Sequence, residues 1–310
     1  MKQIISFIFG VLITIASCSP PQYSAANTGK TASPTLLNTG FDWQGHRGCR
    51  GLLPENSIPA FLYAFELGVT TLELDLVVSR DSQLIVSHEA WMNADICGKI
   101  GGAEVSKEEA ESLLIWHMTK AEVQSYDCGS RGNPRFKTQK AMQTVKPTLA
   151  EVVNAVRERA AFLHKPMPFF NIEIKSQPDF DEIRTPSVKT FAQLVFEEIK
   201  HLNIKKLACV QSFDPRALKA IHALDKQLTT AFLIENTDGL RGNLGKLPFK
   251  PRIYSPYFAL MSKSTVDSCH AKGIKIIPWT VNDTTDMRRL IGLGVDGIIT
   301  DYPDRMLNKL

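Results

Sequence analysis

The 310-residue sequence predicts an α/β chain folded as a (β/α)8 TIM barrel, with an insertion after the second barrel strand. Three observations predict it. From about residue 41 onward, apolar runs of strand length alternate with amphipathic runs of helical spacing, which favours a parallel sheet. Eight such strand runs remain once a short one at 84–87 is set aside, and eight strands close a barrel. No G-x-G-x-x-G follows a strand, which counts against the alternative, an open doubly wound sheet.

The strands are expected near 41–45, 71–78, 169–174, 207–212, 229–234, 252–255, 275–280 and 297–300. Ile58, Phe61, Leu62 and Phe65 follow the i, i+3, i+4, i+7 spacing of a helix with one apolar face. Thr148-Leu149-Ala150-Glu151 is a capping box that opens a helix through Val156. Asp214-Pro215 sets a capping residue before a first-turn proline. Asp283 caps a helix ending near Leu293. Residues 89–146 break this rhythm and are too long for an ordinary connection, so they form the insertion, with a short helix around Lys107 to Ile115.

Composition bounds the class. A hydrophobic content of 44% supports a substantial core. The net charge of +4 comes from mixed charges without a basic tract, which argues against nucleic-acid binding. The N-terminus divides differently. Met1-Lys2 precedes an apolar run from Ile4 to Ile15, too short for a comfortable membrane span and suited to a secretory signal over residues 1–17. Ile15-Ala16-Ser17-Cys18 resembles the lipobox of bacterial lipoproteins, in which the cysteine becomes the lipidated N-terminus. That resemblance implies export, a membrane anchor at Cys18 and a place on the periplasmic face of a bacterial membrane, with the outer membrane expected. The alternative is a plain signal peptide. Residues 18–40 are rich in Ser, Pro, Thr, Asn and Gly and suit a flexible tether to a domain over 41–310. Export permits disulfides. Five cysteines remain after Cys18, and Cys97 with Cys128 is the best pair; five free thiols is the alternative.

The chemistry is concentrated at strand ends. In Leu72-Glu73-Leu74-Asp75-Leu76 the three leucines share one strand face and the two carboxylates share the other. Adjacent charges facing a barrel interior need a cationic partner, and a metal ion fits best. Glu173 and Lys175 share a face in the same way. His46, Glu73, Asp75, His88, Glu173 and Lys175 all fall at or near strand C-terminal ends, which converge on the mouth of a barrel. Three carboxylates make a hard oxygen site for one Ca²⁺ or Mg²⁺.

An ordered set of motifs then makes the resemblance specific. His46-Arg47-Gly48, Pro54-Glu55-Asn56, Glu73-x-Asp75, His88, Ile172-Glu173-Ile174-Lys175, Trp279-Thr280-Val281-Asn282 and Gly297-Ile298-Ile299-Thr300-Asp301-Tyr302-Pro303 occur in sequence. Together they resemble the glycerophosphodiester phosphodiesterase family, from about Trp43 to the C-terminus. The resemblance implies a barrel fold and metal-dependent hydrolysis of small-molecule glycerophosphodiesters to sn-glycerol 3-phosphate and an alcohol. It implies Glu73, Asp75 and Glu173 as metal ligands, His46 and His88 as the acid–base pair, and Arg47 and Lys175 as phosphate contacts. The substrate's own glycerol hydroxyl is the nucleophile in that family, and water opens the cyclic phosphate it forms. Glu89 departs from the pattern, which has Asp after the histidine. Lys175 also has a plainer reading as an ion-pair partner of Glu173. Glu55 and Asn56 suit turn and cap roles, with Asn56 supporting the metal site. Trp279 suits a wall for the substrate's glycerol, with Gln211 similarly placed. Asp301 is expected to end the last strand. Two other functions compete. One is a lysophospholipase D, which needs an apolar channel that Trp91, Trp116 and Met118 of the insertion would line. The other is a binding lipoprotein without catalysis.

Overall fold

The computed structural model describes residues 40–101 and 104–305, and the signal, lipobox and most of the tether expected from the sequence lie outside them. Strand β1 (Asp42–Gly45) leads through α1 (Ile58–Leu67) to β2 (Thr71–Val78). A short β3 (Leu84–Val86) turns back antiparallel to β2. The insertion holds β4 (Gly98–Lys99), α2 (Lys107–Ser112), α3 (Lys120–Val123) and β5 (Tyr126–Asp127). Alternation resumes with α4 (Leu149–Phe162), β6 (Phe169–Ile174), α5 (Val188–His201), β7 (Ala208–Ser212), α6 (Pro215–Leu224) and β8 (Thr229–Ile234). It ends with α7 (Gly239–Leu244), β9 (Ile253–Pro256), α8 (Lys263–His270), β10 (Lys275–Ile276), α9 (Thr284–Leu293) and β11 (Gly297–Thr300).

Among the described residues, eight parallel strands pair in the order β10-β9-β8-β7-β6-β2-β1-β11. Backbone hydrogen bonds then bring β11 to the chain at and beyond β10: Asp296 N to Ile276 O at 2.9 Å, Ile299 N to Pro278 O at 3.0 Å and Val281 N to Ile299 O at 2.9 Å. The arrangement is the (β/α)8 barrel that the alternation predicts. Regular pairing of β10 is shorter than the expected 275–280, since Pro278 has no N–H to donate.

The leucines of β2 behave as their spacing requires. Leu72, Leu74 and Leu76 are fully buried in the layer between barrel and helices, with Phe61, Val152 and Phe170. Each contributes about 2 kcal/mol by leaving water. A second cluster of Phe169, Cys209, Ala231, Ile253, Ile277 and Ile299 packs apart from that layer. In α1 the buried face is Ala60, Phe61, Ala64 and Phe65, and Ile58 and Leu62 are only partly covered. The face is rotated because the β1 turn packs close: a Cβ on Gly48 (φ +81°) would sit 2.7 Å from the Ala60 carbonyl carbon. The Thr148–Glu151 capping box is complete and starts α4, which continues past Val156 to Phe162. Asp214 and Asp283 cap α6 and α9 as expected.

The insertion has its own core of Val77, Ile85, Met92, Ile115, Met118 and neighbours, closed by a Cys97–Cys128 disulfide. Cys49, Cys209 and Cys269 are buried free thiols. The expected helix around Lys107 to Ile115 is split: α2 stops at Ser112, and Ile115–His117 form a 3-10 turn. Met118 lies in the insertion core, Trp91 packs on it, and Trp116 packs against the barrel–helix layer. The three side chains expected to line an apolar channel are therefore packing residues.

Candidate active site

Strand register assembles the acidic centre. Asp75 on β2 pairs with Glu173 on β6, and Glu173 pairs with Gln211 on β7. Glu73 lies two residues before Asp75, on the same inward face. One carboxylate oxygen from each of Glu73, Asp75 and Glu173 lies within 4.8 Å of the others. All three residues are buried. Burial and the neighbouring Asp75 push the Glu73 carboxyl well above its usual range. Burial outweighs the pull of Lys175 and lifts Glu173 to about 7. Burial opposes ionisation of Asp75 too, yet Arg47, His88, Lys175 and Asn56 together hold it below the usual range. Its Oδ1 is buried with no hydrogen-bond donor. An acceptor oxygen without a donor, beside two carboxyls reluctant to ionise, fits a set built around a hard divalent cation.

The turn after β1 supports this centre. Arg47 and Asn56 both adopt left-handed backbone, with φ of +50° and +54°. That geometry aims the Arg47 backbone N–H at Glu73 Oε2, 2.9 Å away. The Arg47 guanidinium donates to Glu55 Oε1 at 2.6 Å and lies 3.3 Å from Asp75 Oδ2. Glu55 thus holds Arg47. Asn56 donates to Asp75 Oδ2 at 2.9 Å, and Ser57 caps α1 in its place. Gln211 donates to Glu73 Oε1 at 2.7 Å and accepts from Asn171, which bridges to Gln44. Lys175 pairs with Glu173 at 2.9 Å and still faces the cavity.

Each histidine has a carboxylate at Nδ1. His46 Nδ1 is 2.7 Å from Asp301 Oδ1, and His88 Nδ1 is 2.9 Å from Glu89 Oε1. An ionised carboxylate only accepts, so each Nδ1 carries the proton and Nε2 is left for the cavity. Burial, with Arg50 nearby, lowers His46 to about 4, so its resting form is neutral. Burial, then Arg47 and Lys175, lower His88 as well. Asp301 does more than end β11. Arg50 donates to both its oxygens at 2.9 and 3.1 Å, Asn282 donates at 2.8 Å, and it fixes the His46 ring. His88 follows the short run that was set aside from the eight barrel strands. That run is the return strand β3, and Ser87 N bonded to Asp75 O at 3.0 Å brings His88 to the level of the carboxylates. The longer Glu89 reaches the ring directly, and its adjacency to His88 is the sequence signal for that partnership.

His46, His88, Glu73, Glu173, Lys175 and Arg47 line one cavity of about 500 Å³. Trp279 and Phe213 form part of its wall, edge to face at 5.3 Å, with the indole N–H on Ser255 O at 2.9 Å. Arg50, Phe213, Arg135 and Glu235 also line it without having been singled out in the sequence. Phe213 directly follows β7, which is a usable signal. Arg135 comes from the insertion, and no periodicity marks it.

The model of the glycerophosphoryl diester phosphodiesterase family matches residues 46–305. The chain belongs to this family. A glycerophosphodiester phosphodiesterase of Caldanaerobacter subterraneus subsp. tengcongensis is 28% identical over 85% of this chain and 95% of its own. The lysophospholipase D GDPD1 of Homo sapiens is 23% identical over 86% and 84% of the two chains. The crystal structure of a glycerophosphoryl diester phosphodiesterase of Silicibacter pomeroyi DSS-3 superposes with a TM-score of 0.76 at 26% identity, covering 86% of this chain and 92% of that one. Family membership accounts for the barrel and for the order of the motifs along the chain.

Proposed function

We propose that this family member hydrolyses glycerophosphodiesters to sn-glycerol 3-phosphate and an alcohol, and that it does so with a divalent cation and the His46/His88 pair. The carrying observation is the convergence, in one cavity, of the Glu73–Asp75–Glu173 centre with two histidines whose Nδ1 atoms are both held by carboxylates. A cation held by Glu73, Asp75 and Glu173 would draw charge from the phosphate oxygens as it builds during attack. Lys175 and Arg47 add positive charge beside it. Trp279 and Phe213 offer an apolar wall to the glycerol backbone. One histidine takes the proton of the attacking glycerol hydroxyl, and the other gives a proton to the departing alcohol. Their roles exchange when water opens the cyclic phosphate.

The relative named a lysophospholipase D makes a lipid diester the second reading. The packed positions of Trp91, Trp116 and Met118 favour deacylated diesters instead. We further propose lipid anchoring at Cys18 and a periplasmic location, supported by the lipobox-like sequence. The activity test is a panel of deacylated glycerophosphodiesters and lyso-lipids with Mg²⁺, Ca²⁺ and EDTA, reading glycerol 3-phosphate. Release that EDTA abolishes is expected. Release untouched by EDTA and by His46→Ala would overturn the mechanism.

A further inference from the structure

Among the described residues, Arg135 differs from every other cation of the catalytic cavity. Arg47 is paired with Glu55 and Asp75, Arg50 with Asp301, and Lys175 with Glu173. His46 and His88 rest on Asp301 and Glu89. The Arg135 guanidinium has no carboxylate partner; its neighbour is the ring of Phe136, 5.8 Å away. A cation left without a counter-charge at a substrate cavity is available to one that the substrate brings.

The segment that carries it is firmly held. Cys128 is fixed by the disulfide and by its N–H on Thr144 O at 2.7 Å. Asn133 donates to Glu55 Oε2 at 3.2 Å. Gln139 donates to the carbonyls of Arg50 and Leu53 at 2.7 and 3.1 Å, and Lys140 N donates to Leu52 O at 2.8 Å. Phe136 is buried between Arg50 and the edge of Tyr302. Residues 129–142 therefore form a strap tied to the β1 turn, so the backbone that carries Arg135 is already placed at the cavity. The same strap lines a second cavity of about 530 Å³, together with Asp95. Arg131 is paired with Glu104 at 3.5 Å, and among the described residues Lys137 has no ion-pair partner.

We propose that Arg135 is a specificity residue for the leaving alcohol, and that it favours glycerophosphodiesters whose head group carries a second negative charge, such as a further phosphodiester. This rests on the proposed activity. Trp279 and Phe213 take the glycerol end, so the alcohol end extends toward the insertion. Among the described residues, Glu235 is the one carboxylate of the cavity wall without a hydrogen-bond or ion-pair partner; it follows β8 and adds its charge on the β7–β9 side, away from the insertion. A guanidinium suits a phosphate because it presents paired donors in one plane.

The test compares three diesters on the full chain, with the cation that supports turnover: glycerophosphocholine, with a cationic head group; glycerophosphoglycerol, neutral; and bis(glycerophospho)glycerol, which carries a second phosphodiester. The expected order of kcat/KM is second-phosphate diester, then neutral, then cationic, with the spread shrinking as salt rises. Arg135→Glu should lower the ratio of the second-phosphate diester to glycerophosphocholine at least ten-fold, mainly through KM. Arg135→Lys should restore part of it. A charge-independent order in the wild type, or a ratio unmoved by Arg135→Glu, overturns the inference while leaving the activity standing. No turnover of any diester overturns the proposed function itself. Circular dichroism and thermal melting of the variant separate a misfolded strap from an altered preference.

Discussion

At the scale of single residues, the two histidines are set by carboxylates of different origin. Glu89 is the next residue after His88, whereas Asp301 lies 255 positions from His46. Asp301 is itself neutralised by Arg50 and accepts a hydrogen bond from Asn282, so it orients His46 without adding a free charge to the cavity. Replacing it by asparagine keeps the shape and changes the proton logic. An amide can donate to Nδ1, which would move the imidazole proton to Nε2, the nitrogen that must accept one. Asp301→Asn is expected to lower kcat about 10²-fold or more, with a much smaller effect on KM. Steady-state kinetics beside ¹⁵N chemical shifts of the His46 ring check this. An unchanged ring tautomer with unchanged kcat would reduce Asp301 to a strand terminator. The same pairing marks a limit of sequence reading. Glu73 and Asp75 announce themselves because they share one strand face, but a carboxylate meeting a histidine across the barrel closure has no local signature.

At the scale of elements, what was legible followed from periodicity and chemistry confined to a few residues. The β2 leucines, the Thr148–Glu151 box and the Asp214 and Asp283 caps were readable because each depends on neighbours in the chain. The rotated face of α1 was not, because it depends on the close approach of Gly48 from another element. The insertion was visible as a break in rhythm, and its Cys97–Cys128 pair and the start of α2 at Lys107 were readable, but the stop of α2 at Ser112 and the path of residues 129–142 were not. Its core is small, and the Cys97–Cys128 bridge spans a sequence separation of 31 residues. Closing a loop of that size in the unfolded chain corresponds to about 3–4 kcal/mol. Breaking the bridge by Cys97→Ser should therefore loosen the insertion while the barrel stays folded. Limited proteolysis should find new cuts between residues 98 and 142, and KM should rise because the strap bearing Arg135 begins at Cys128. Identical cleavage patterns before and after the substitution would show that the small core suffices.

At the scale of the whole molecule, two couplings can be measured, one to a membrane and one to protons and metal. If Cys18 carries a lipid, Cys18→Ala moves the protein from the membrane fraction to the soluble fraction of its cell without altering the activity of the released protein. The second coupling follows from the acidic centre. Without a cation, burial raises Glu173 to about 7 and lifts Glu73 in the same direction. Their pKa values in the unfolded chain are about 4.3. Between these limits the folded metal-free protein binds more protons than the unfolded chain, so its stability falls as pH rises from about 4 to about 7. A cation needs both carboxylates ionised, so it displaces those protons, and its affinity rises across the same window. For the Glu173 proton the apparent Kd should tighten about ten-fold per pH unit as pH rises towards 7, and displacement of the Glu73 proton adds in the same direction. At a cation concentration of 100 Kd the folded state gains about 2.7 kcal/mol. Thermal melts with EDTA and with fixed Mg²⁺ or Ca²⁺ should therefore nearly coincide at pH 5 and separate clearly at pH 8. Glu173→Gln should weaken the cation-induced separation at pH 8 and flatten the decline of the metal-free melt. A separation independent of pH would mean that the three carboxylates stay ionised without the cation, and that burial does not govern the centre.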